Sequence, residues 1–477
     1  MAALWTTDDM AAAMRAEKSG ALPADVSGIS IDSRSMARGE AFFAIQGDTR
    51  DGHDFVAAAL KAGAGLAVIA RDRRGLFAAD APLLVVDDVL EGLRDLGRAA
   101  RARFTGQVIA VTGSVGKTST KETLRLALSA DGETHASAAS YNNHWGVPLS
   151  LARCPANAKY AVFEIGMNHA GEITPLTRMA RPHVAIVTTV EPVHLEYFGS
   201  VEKIADAKAE IFLGVVDNGA AVINRDNDQY LRLDAAAKAA NVSRIVTFGA
   251  NREADARLVR HALQPDSSTV EAVIFGTPIA YKLGAPGRHI VMNSLAVLVA
   301  ASLAGADLAV AALALGRLKA AVGRGARIPL GLPNGEALLI DESYNANPAS
   351  MRAAIALLGQ AETGPLGRRI AVIGDMLELG DLGPRLHAEL VEAMAENNID
   401  LVYCAGPLSR ALWEALPPNR RGGYAETAAA LEPAVIGAIR AGDAVMVKAS
   451  NGSKMGPLVK ALERQFPRRG ALAAAEG

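Results

Sequence analysis

The chain has very few cysteines and no excess of charge of either sign. Among its 477 residues only Cys154 and Cys404 are cysteines, and they lie far apart in the sequence. Two thiols cannot build a disulfide framework or, on their own, a structural zinc site, so we expect two small buried hydrophobic side chains. The 49 Lys and Arg residues nearly balance the 51 Asp and Glu residues. This balance does not indicate a nucleic-acid partner.

The chain also has no long uninterrupted hydrophobic run. Asp8 and Asp9 fall where a secretory signal peptide would need an apolar stretch. The most apolar region spans residues 290–316, and four polar residues interrupt it: Asn293, Ser294, Ser302 and Asp307. A membrane span needs about 20 predominantly apolar residues. We therefore interpret the region as a pair of core helices, predict no membrane insertion and expect a cytoplasmic protein.

The order of apolar and helical stretches predicts an α/β protein of three domains. Short strand-like runs fill the first 86 residues, and a helical connector follows at residues 89–104. Apolar strands then alternate with helical stretches, which is typical of a mainly parallel sheet with helices on both faces. The Gly-rich segment AAVGRGARIP interrupts the alternation, and a second α/β series follows. We predict a small N-terminal α/β domain (1–86), a central mainly parallel sheet domain with a phosphate loop (87–322) and a C-terminal Rossmann-like α/β domain (323–477).

The segment QVIAVTGSVGKTSTKETL is typical of a phosphate-binding loop. An apolar strand leads into a Gly-rich turn, and the turn leads into a helix whose N-terminal N–H groups favour an anion. The lysine can reach the β- and γ-phosphates of a nucleotide, and the following Thr hydroxyl can bind Mg²⁺. The usual pattern would begin with glycine at position 111, where this chain has Val111. The predicted ATP-binding residues are Gly113, Ser114, Val115, Gly116, Lys117, Thr118 and Ser119.

Two residues that follow apolar runs are candidate metal ligands. Glu164 ends the run YAVFEIG, and His194 lies just beyond HVAIVTTV. The carboxyl ends of parallel strands meet at the sheet edge where ligands bind, and Mg²⁺ prefers oxygen ligands such as a carboxylate. A structural histidine and an exposed glutamate remain alternatives. Lys208 lies in a helical stretch, and its neighbouring residues alone predict a solvent-exposed lysine on a polar face of that helix.

Several motifs together resemble the Mur ligase superfamily, whose members join amino acids to cell-wall precursors. The resemblance rests on TGSVGKTST, YNNHWGVPLSL, EIGMNHAGEI and HLEYFGSVEKIADAKAEIF. Further stretches resemble the member that adds a dipeptide: DSRSMARGEAFFAIQGDTRDGHDF, DESYNANPASM, VIGDMLELG and VKASNGSKM. The resemblance implies that ATP, with Mg²⁺, phosphorylates the terminal carboxylate of UDP-N-acetylmuramoyl-tripeptide. The amine of D-alanyl-D-alanine then attacks the acyl phosphate, which completes a step of peptidoglycan precursor synthesis.

The resemblance also implies roles for individual residues around ATP. Lys117 matches the phosphate lysine, and the implied metal ligands are Thr118, Glu164, His194 and Lys208. Lys208 matches a lysine that the family carbamylates with CO₂, which replaces a cation that repels Mg²⁺ with an oxygen anion that attracts it. The remaining ATP-binding candidates are Asn293 near the adenine, Arg324 or Arg327, and Asp341 or Glu342.

The implied sites for the other two substrates involve mainly polar loop residues. Ser33 and Arg34 match the site for the uridine diphosphate, and Asn142 and Asn143 match residues near the acceptor peptide. The dipeptide is expected between the central and third domains, near Asn345, Asn347 and Asn451. Asparagines in loops are also common for turn geometry alone. We expect a monomer.

Three alternatives to this interpretation can be weighed from the sequence. Another ligase of the superfamily, or folylpolyglutamate synthase, would share the central domain, but the N-terminal DSR and GHDF motifs disfavour the folate enzyme. A phosphate-loop switch or motor ATPase would hydrolyse ATP without an added amine. An inactive scaffold is disfavoured because Lys117, Glu164 and His194 are all present. The sequence leaves open whether the third residue of the tripeptide is diaminopimelate or lysine.

Overall fold

The chain folds into three consecutive α/β units, each built on its own sheet of mixed, mostly parallel strands. The computed structural model describes residues 3–47, 49–138, 140–193, 195–320 and 323–468. In the described residues the three sheets have five, nine and six strands, and a separate two-stranded pair lies near the N-terminus. This architecture confirms the predicted fold class. The exact boundaries at residues 86 and 322 stay a prediction.

The N-terminal unit is a five-stranded sheet with short helices, and a long helix leads out of it. Its strand order is β2-β7-β6-β5-β4, while β1 pairs with β3. Its elements are β1 Trp5–Thr6, α1 Thr7–Met14, β2 Glu17–Ser19, β3 Asp25–Val26, β4 Ile29–Ser30, β5 Ala41–Phe43, α2 Val56–Ala62, β6 Leu66–Ala70, β7 Leu83–Val86 and α3 Val89–Arg103, with 3₁₀ helices at Gly52–Phe55 and Arg71–Leu76.

Buried hydrogen bonds fasten this unit to the central one. The Trp5 indole Nε1 donates to the Ala152 carbonyl at 2.8 Å, and Arg153 Nε donates to the Ile29 carbonyl at 2.7 Å. Helix α3 begins at the N-cap Asp88 and packs against a helix of the central unit, which confirms the predicted helical connector. The two units therefore share part of one hydrophobic core.

The central unit is a nine-stranded sheet of order β16-β15-β14-β13-β12-β11-β8-β10-β9. Strand β8 lies between β10 and β11, parallel to both. The elements are β8 Gln107–Thr112, α4 Lys117–Ser129, β9 Thr134–Ala136, α5 Gly146–Ala152, β10 Tyr160–Glu164, α6 Ile173–Ala180, β11 Val184–Val187, α7 Leu195–Phe198, α8 Val201–Ala209, β12 Ala220–Asn224, α9 Tyr230–Ala239, β13 Arg244–Gly249, β14 Ala256–Leu263, β15 Ser268–Ile274, β16 Thr277–Leu283, α10 Arg288–Leu303 and α11 Leu308–Ala314, with 3₁₀ helices at Glu210–Gly214 and Leu315–Arg317.

The antiparallel strands β14, β15 and β16 extend this sheet and were not anticipated from the sequence. The alternating burial along β15 is the period-2 signal that could have revealed them. Between β15 and β16, Phe275 and Gly276 both have positive φ, 49° and 80°, as a two-residue hairpin turn requires. Helices α10 and α11 confirm the predicted pair of core helices. Among the described helices, none combines the length and apolar character that a membrane crossing requires.

The C-terminal unit is a six-stranded sheet of order β17-β18-β22-β19-β20-β21, parallel except for β17. Both cysteines are buried, as predicted, and burial raises the pKa of each thiol to about 12. The elements are β17 Ala326–Leu332, β18 Gly335–Glu342, α12 Pro348–Gly359, β19 Arg369–Gly374, α13 Gly383–Ala388, α14 Leu390–Glu396, β20 Leu401–Ala405, α15 Arg410–Ala415, β21 Arg421–Ala425, α16 Ala428–Ala438, β22 Ala444–Lys448 and α17 Gly456–Gln465, with 3₁₀ helices at Gly380–Leu382, Pro418–Arg420 and Asn451–Ser453.

Candidate functional site

The Gly-rich turn connects the central strand β8 to helix α4 at the carboxyl edge of the parallel strands. Gly113 and Gly116 have φ values of 146° and 87°, a region that side chains rarely adopt. A Cβ atom at Gly113 would also collide with the Thr188 hydroxyl. Val111, where the usual motif starts with glycine, is a fully buried residue of β8. The turn therefore starts at Gly113, and the hydrophobic side chain of Val111 packs in the core of the sheet.

Lys117 lies at the first position of α4 and folds back over the turn. Its Nζ donates to the Gly113 carbonyl at 2.7 Å. Burial lowers the pKa of this lysine from its usual value, the Glu164 carboxylate opposes that shift, and the Arg324 charge adds to it. The side chain thus places a cation directly above the loop where a bound phosphate would sit.

Glu164 ends strand β10 beside the turn and is 1% exposed. One carboxylate oxygen accepts from the Thr118 hydroxyl at 2.8 Å, and the other accepts from Asn142 Nδ2 at 2.7 Å. The Thr118 hydroxyl lies 3.3 Å from the Ser140 hydroxyl. Carboxylate and hydroxyl oxygens are the donors that Mg²⁺ prefers, so this group fits the ion chemically.

The remaining predicted metal ligands are His194 and Lys208. His194 lies outside the described residues, and no cluster of three or more His, Cys, Asp or Glu residues able to hold a metal occurs in the described ranges. Lys208 is 2% exposed on α8, and no hydrogen bond or ion pair joins its side-chain amine to another described residue. Burial, and then the charge of Lys117, lower its pKa well below the usual value. The alternative of a solvent-exposed lysine is therefore wrong.

A cavity of about 530 Å³ adjoins the start of α4 and lies between the central and C-terminal units. The central unit contributes Thr118, Ser119 and His289, and the C-terminal unit contributes Arg324, Glu342 and Tyr344. Arg324 Nη2 donates to the Ser140 hydroxyl at 3.3 Å, and its guanidinium lies 4.3 Å from the centre of the Tyr344 ring. The cavity therefore joins the phosphate loop to a cation of the third unit.

The structure separates the two candidates in each of the ambiguous pairs. Arg327 does not line the cavity; its Nη1 is buried without a partner among the described residues. Asp341 is buried, and its carboxylate accepts from the Gly323 N–H at 2.9 Å and the Ser343 hydroxyl at 2.6 Å. Glu342 faces the cavity, and Lys448 Nζ lies 3.2 Å from its carboxylate. Of these four candidates, Arg324 and Glu342 line the cavity, whereas Arg327 and Asp341 do not.

Asn293 lies beside the phosphate loop. Its Nδ2 would be 2.5 Å from a Cβ atom added at Gly116, so the absence of a side chain at Gly116 lets the two residues approach.

Three residues near the cavity were not predicted from the sequence: His289, Tyr344 and Lys448. In the sequence, a lysine that directly ends the apolar run AVMV is the one signal that could have pointed to Lys448.

Most of the predicted substrate residues already have local partners. Arg34 forms a bidentate pair with Asp32, at 2.9 and 2.7 Å, and this pairing lowers the pKa of Asp32 to about 2. Asn143 Oδ1 accepts from Gly146 N–H at 2.9 Å, and Asn347 caps α12. The Asn345 carbonyl accepts from Nζ of Lys448, which is distant in sequence, at 2.8 Å. Ser33 lies in the loop between β4 and β5, and Asn451 is exposed.

Comparisons with known proteins fit all three units. Residues 25–101 match the Mur ligase family catalytic domain, 111–301 the Mur ligase middle domain and 330–451 the glutamate ligase domain of Mur ligases. The UDP-N-acetylmuramoyl-tripeptide–D-alanyl-D-alanine ligase of Rickettsia prowazekii is 31% identical over 456 residues, which cover 96% of this chain and 99% of that protein. The chain belongs to the Mur ligase family.

Two solved Mur ligase structures share the complete architecture. MurF from Acinetobacter baumannii superposes with a TM-score of 0.82 at 30% identity, over 96% of this chain and 99% of the other. MurF ligase from Thermotoga maritima in complex with ADP superposes with a TM-score of 0.74 at 27% identity, over 92% and 97%. The Escherichia coli relative, again a UDP-N-acetylmuramoyl-tripeptide–D-alanyl-D-alanine ligase, is 35% identical over 80% of this chain and 82% of its own length. The relatives named above, which this Mur ligase resembles along most of its length, therefore all carry names for the same ligase activity.

Proposed function

We propose that this Mur ligase uses ATP to join D-alanyl-D-alanine to UDP-N-acetylmuramoyl-tripeptide in peptidoglycan synthesis. The relatives named above support the two substrates. One structural observation carries the chemistry: Lys117, Thr118 and Glu164 converge on the Gly-rich turn, with the Thr118 hydroxyl 2.8 Å from the carboxylate. A triphosphate needs such a combination of cation, loop amides and metal-binding oxygens.

The proposed roles at ATP follow from these positions. Residues 113–119 and the Lys117 ammonium hold the phosphates, Asn293 lies near the adenine, and Arg324 contacts ATP from the cavity. Thr118, Glu164, His194 and carbamylated Lys208 would hold Mg²⁺. When bound, the ion neutralises negative charge on the phosphates. Of the two acidic candidates, Glu342 is proposed to face ATP, with its carboxylate paired to Lys448, while Asp341 orders the loop at residue 323.

The chemistry consists of two substitutions at substrate atoms. A carboxylate oxygen of the tripeptide bonds to the γ-phosphorus of ATP as the bond from that phosphorus to ADP breaks. The amine of the dipeptide then bonds to the acyl carbon, loses a proton, and phosphate leaves. The protein forms no covalent bond, so its residues act by holding the reactants in line and by neutralising charge.

The acceptor and dipeptide sites follow the family resemblance. Ser33 and Arg34 are proposed to bind the uridine diphosphate after Arg34 exchanges Asp32 for phosphate. Asn142 and Asn143 approach the peptide, and Asn345, Asn347 and Asn451 lie around the dipeptide. We further propose that the enzyme is cytoplasmic, because ATP is the energy source, and that it is a monomer.

A coupled assay of phosphate release tests the proposal against a phosphate-loop ATPase that only hydrolyses ATP. The enzyme receives ATP and UDP-N-acetylmuramoyl-tripeptide, with D-alanyl-D-alanine present or omitted. We expect sustained phosphate release only with both peptides, and a ligated product of matching amount in the mass spectrum. Equal phosphate release without the tripeptide would contradict ligation.

A matched pair of arginine variants tests which arginine contacts ATP. Arg324→Gln removes a charged donor from the cavity and should raise the KM for ATP about tenfold or more. Arg327→Met should leave that KM unchanged and should not lower Tm, because the buried Nη1 of Arg327 has no partner among the described residues. A raised KM in Arg327→Met with a normal KM in Arg324→Gln would reverse the assignment.

A further inference from the structure

The edge of the central sheet opposite the phosphate loop carries an arginine cavity. It has a volume of about 420 Å³ and is lined by Arg98, Arg101, Pro175, Arg178, Met179 and Arg181. The lining residues lie on or next to helices α3 and α6, which lead directly into strands β8 and β11. The cavity therefore lies at the edge of the sheet where these two strands begin. The phosphate loop follows the carboxyl end of β8. The length of a strand therefore separates the two sites.

Arg101 forms the buried part of the arginine cavity. It is 7% exposed, and its guanidinium donates to the Ala180 carbonyl at 2.7 Å, the Arg181 carbonyl at 2.8 Å and the Phe104 carbonyl at 3.3 Å. These carbonyls orient the guanidinium but carry no net charge. No carboxylate in the described ranges forms an ion pair with Arg101. A buried cation without a counter-ion is costly, which an anion in the cavity would relieve.

The other three arginines add positive charge around the opening. Arg178 and Arg181 are exposed and have no ion pair with any carboxylate that the structure describes. Arg98 pairs with Asp95, one turn away on the same helix, at 2.5 Å. Burial, followed by the charges of Arg101 and Arg181, lowers the pKa of the neighbouring His183. The field at this surface is thus positive on a chain whose net charge is −2.

The helix ends explain only part of this arrangement. Basic residues in the last turn of a helix are stabilised by the helix dipole, which suits Arg101 and Arg178. The dipole does not require arginines of two helices to surround one cavity. Guanidinium groups bind phosphate through paired hydrogen bonds, and a cavity of this size matches a small organic ligand.

We propose that the arginine cavity is a second anion site, which binds the phosphate groups of a small phosphorylated molecule. Arg178 and Arg181 bind the phosphate directly, and Arg101 supplies the buried charge beneath it. Pro175 and Met179 offer an apolar surface to the organic part of the ligand. The site is separate from the phosphate loop and can be occupied at the same time.

Calorimetric titration with inorganic pyrophosphate tests the site. The full chain is first saturated with ADP and UDP-N-acetylmuramoyl-tripeptide, so that the phosphate loop and the proposed uridine diphosphate site are both filled. We expect one pyrophosphate to bind, with an affinity that falls as salt rises. The double variant Arg178→Gln/Arg181→Gln should weaken this binding about tenfold or more. The matched control is Arg385→Gln/Arg410→Gln, which removes the same charge from two exposed arginines paired with Glu389 and Glu414, and it should bind as the unaltered chain does.

A vesicle arm identifies the source of the phosphate. Vesicles of phosphatidylglycerol and of phosphatidylcholine are sedimented with the same three proteins. Binding only to phosphatidylglycerol, lost in Arg178→Gln/Arg181→Gln, would support the anion site with a lipid headgroup as its ligand. Both replaced arginines are exposed, so an unchanged Tm should confirm an intact fold. The proposal is overturned if the unaltered chain binds neither probe, or if the control pair weakens binding as much as the cavity pair.

Discussion

Lys117→Ala should lower kcat for ligation by about 10³-fold, the largest effect that we expect from one substitution. The Lys117 Nζ lies over the Gly-rich turn, 2.7 Å from the Gly113 carbonyl, and is the cation of that turn. Without the Lys117 ammonium group, only the backbone amides of the turn would stabilise the negative charge that develops on the transferred phosphate. Steady-state phosphate release with both peptides measures the loss, and calorimetry with ATP should show weaker binding as well.

The control for this variant is Lys282→Ala, which removes an exposed lysine from β16. Lys282→Ala should keep full activity, so a loss in Lys117→Ala alone can be assigned to the loop. Circular dichroism and Tm should remain unchanged in both variants, since among the described residues the Lys117 side chain donates only to a carbonyl of its own turn. Normal turnover in Lys117→Ala would refute the assignment of the phosphate site.

Lys208→Ala should lower kcat by about 10²-fold, and the activity of the unaltered enzyme should depend on CO₂. Lys208 is 2% exposed, and burial together with the Lys117 charge lowers its pKa well below the usual value. A larger neutral fraction of the amine favours attack on CO₂. The N–C bond forms as one C=O π bond of CO₂ opens and gives its electron pair to oxygen, and a proton leaves the nitrogen. The product is an anion where the unmodified chain has a buried amine.

The measurement is ¹³C NMR of enzyme supplied with ¹³C-labelled bicarbonate, together with activity in CO₂-depleted buffer. We expect a carbamate signal that is absent from Lys208→Ala, and activity that returns when bicarbonate is added back. Lys203→Ala is the control, because Lys203 lies exposed on the same helix. A carbamate signal that persists in Lys208→Ala, or activity that does not depend on CO₂, would refute the assignment of Lys208 as the carbamylated metal ligand.

The sequence alone was sufficient for much of the fold. Apolar runs such as those of β8, β10 and β22 are short and fully buried, and strands of this kind carry their own signal. The antiparallel strands β14–β16 escaped because their half-exposed pattern is weaker and their hairpin turn lacks the usual Asn-Gly or Asp-Gly. The local sequence pattern therefore identified strands whose two faces are both buried and missed strands that have only one buried face.

The sequence by itself determined the phosphate loop, because every residue of that turn is contiguous and its glycines are required locally by positive φ at Gly113 and Gly116. Only the tertiary structure shows that Arg324 and Glu342 line the cavity while Arg327 and Asp341 do not. These neighbours differ in the direction of their side chains relative to a cavity formed by two units. Burial of Lys208 was likewise invisible in its helix pattern, since other elements cover it. Contacts between distant segments set these outcomes, and a local pattern carries no information about them.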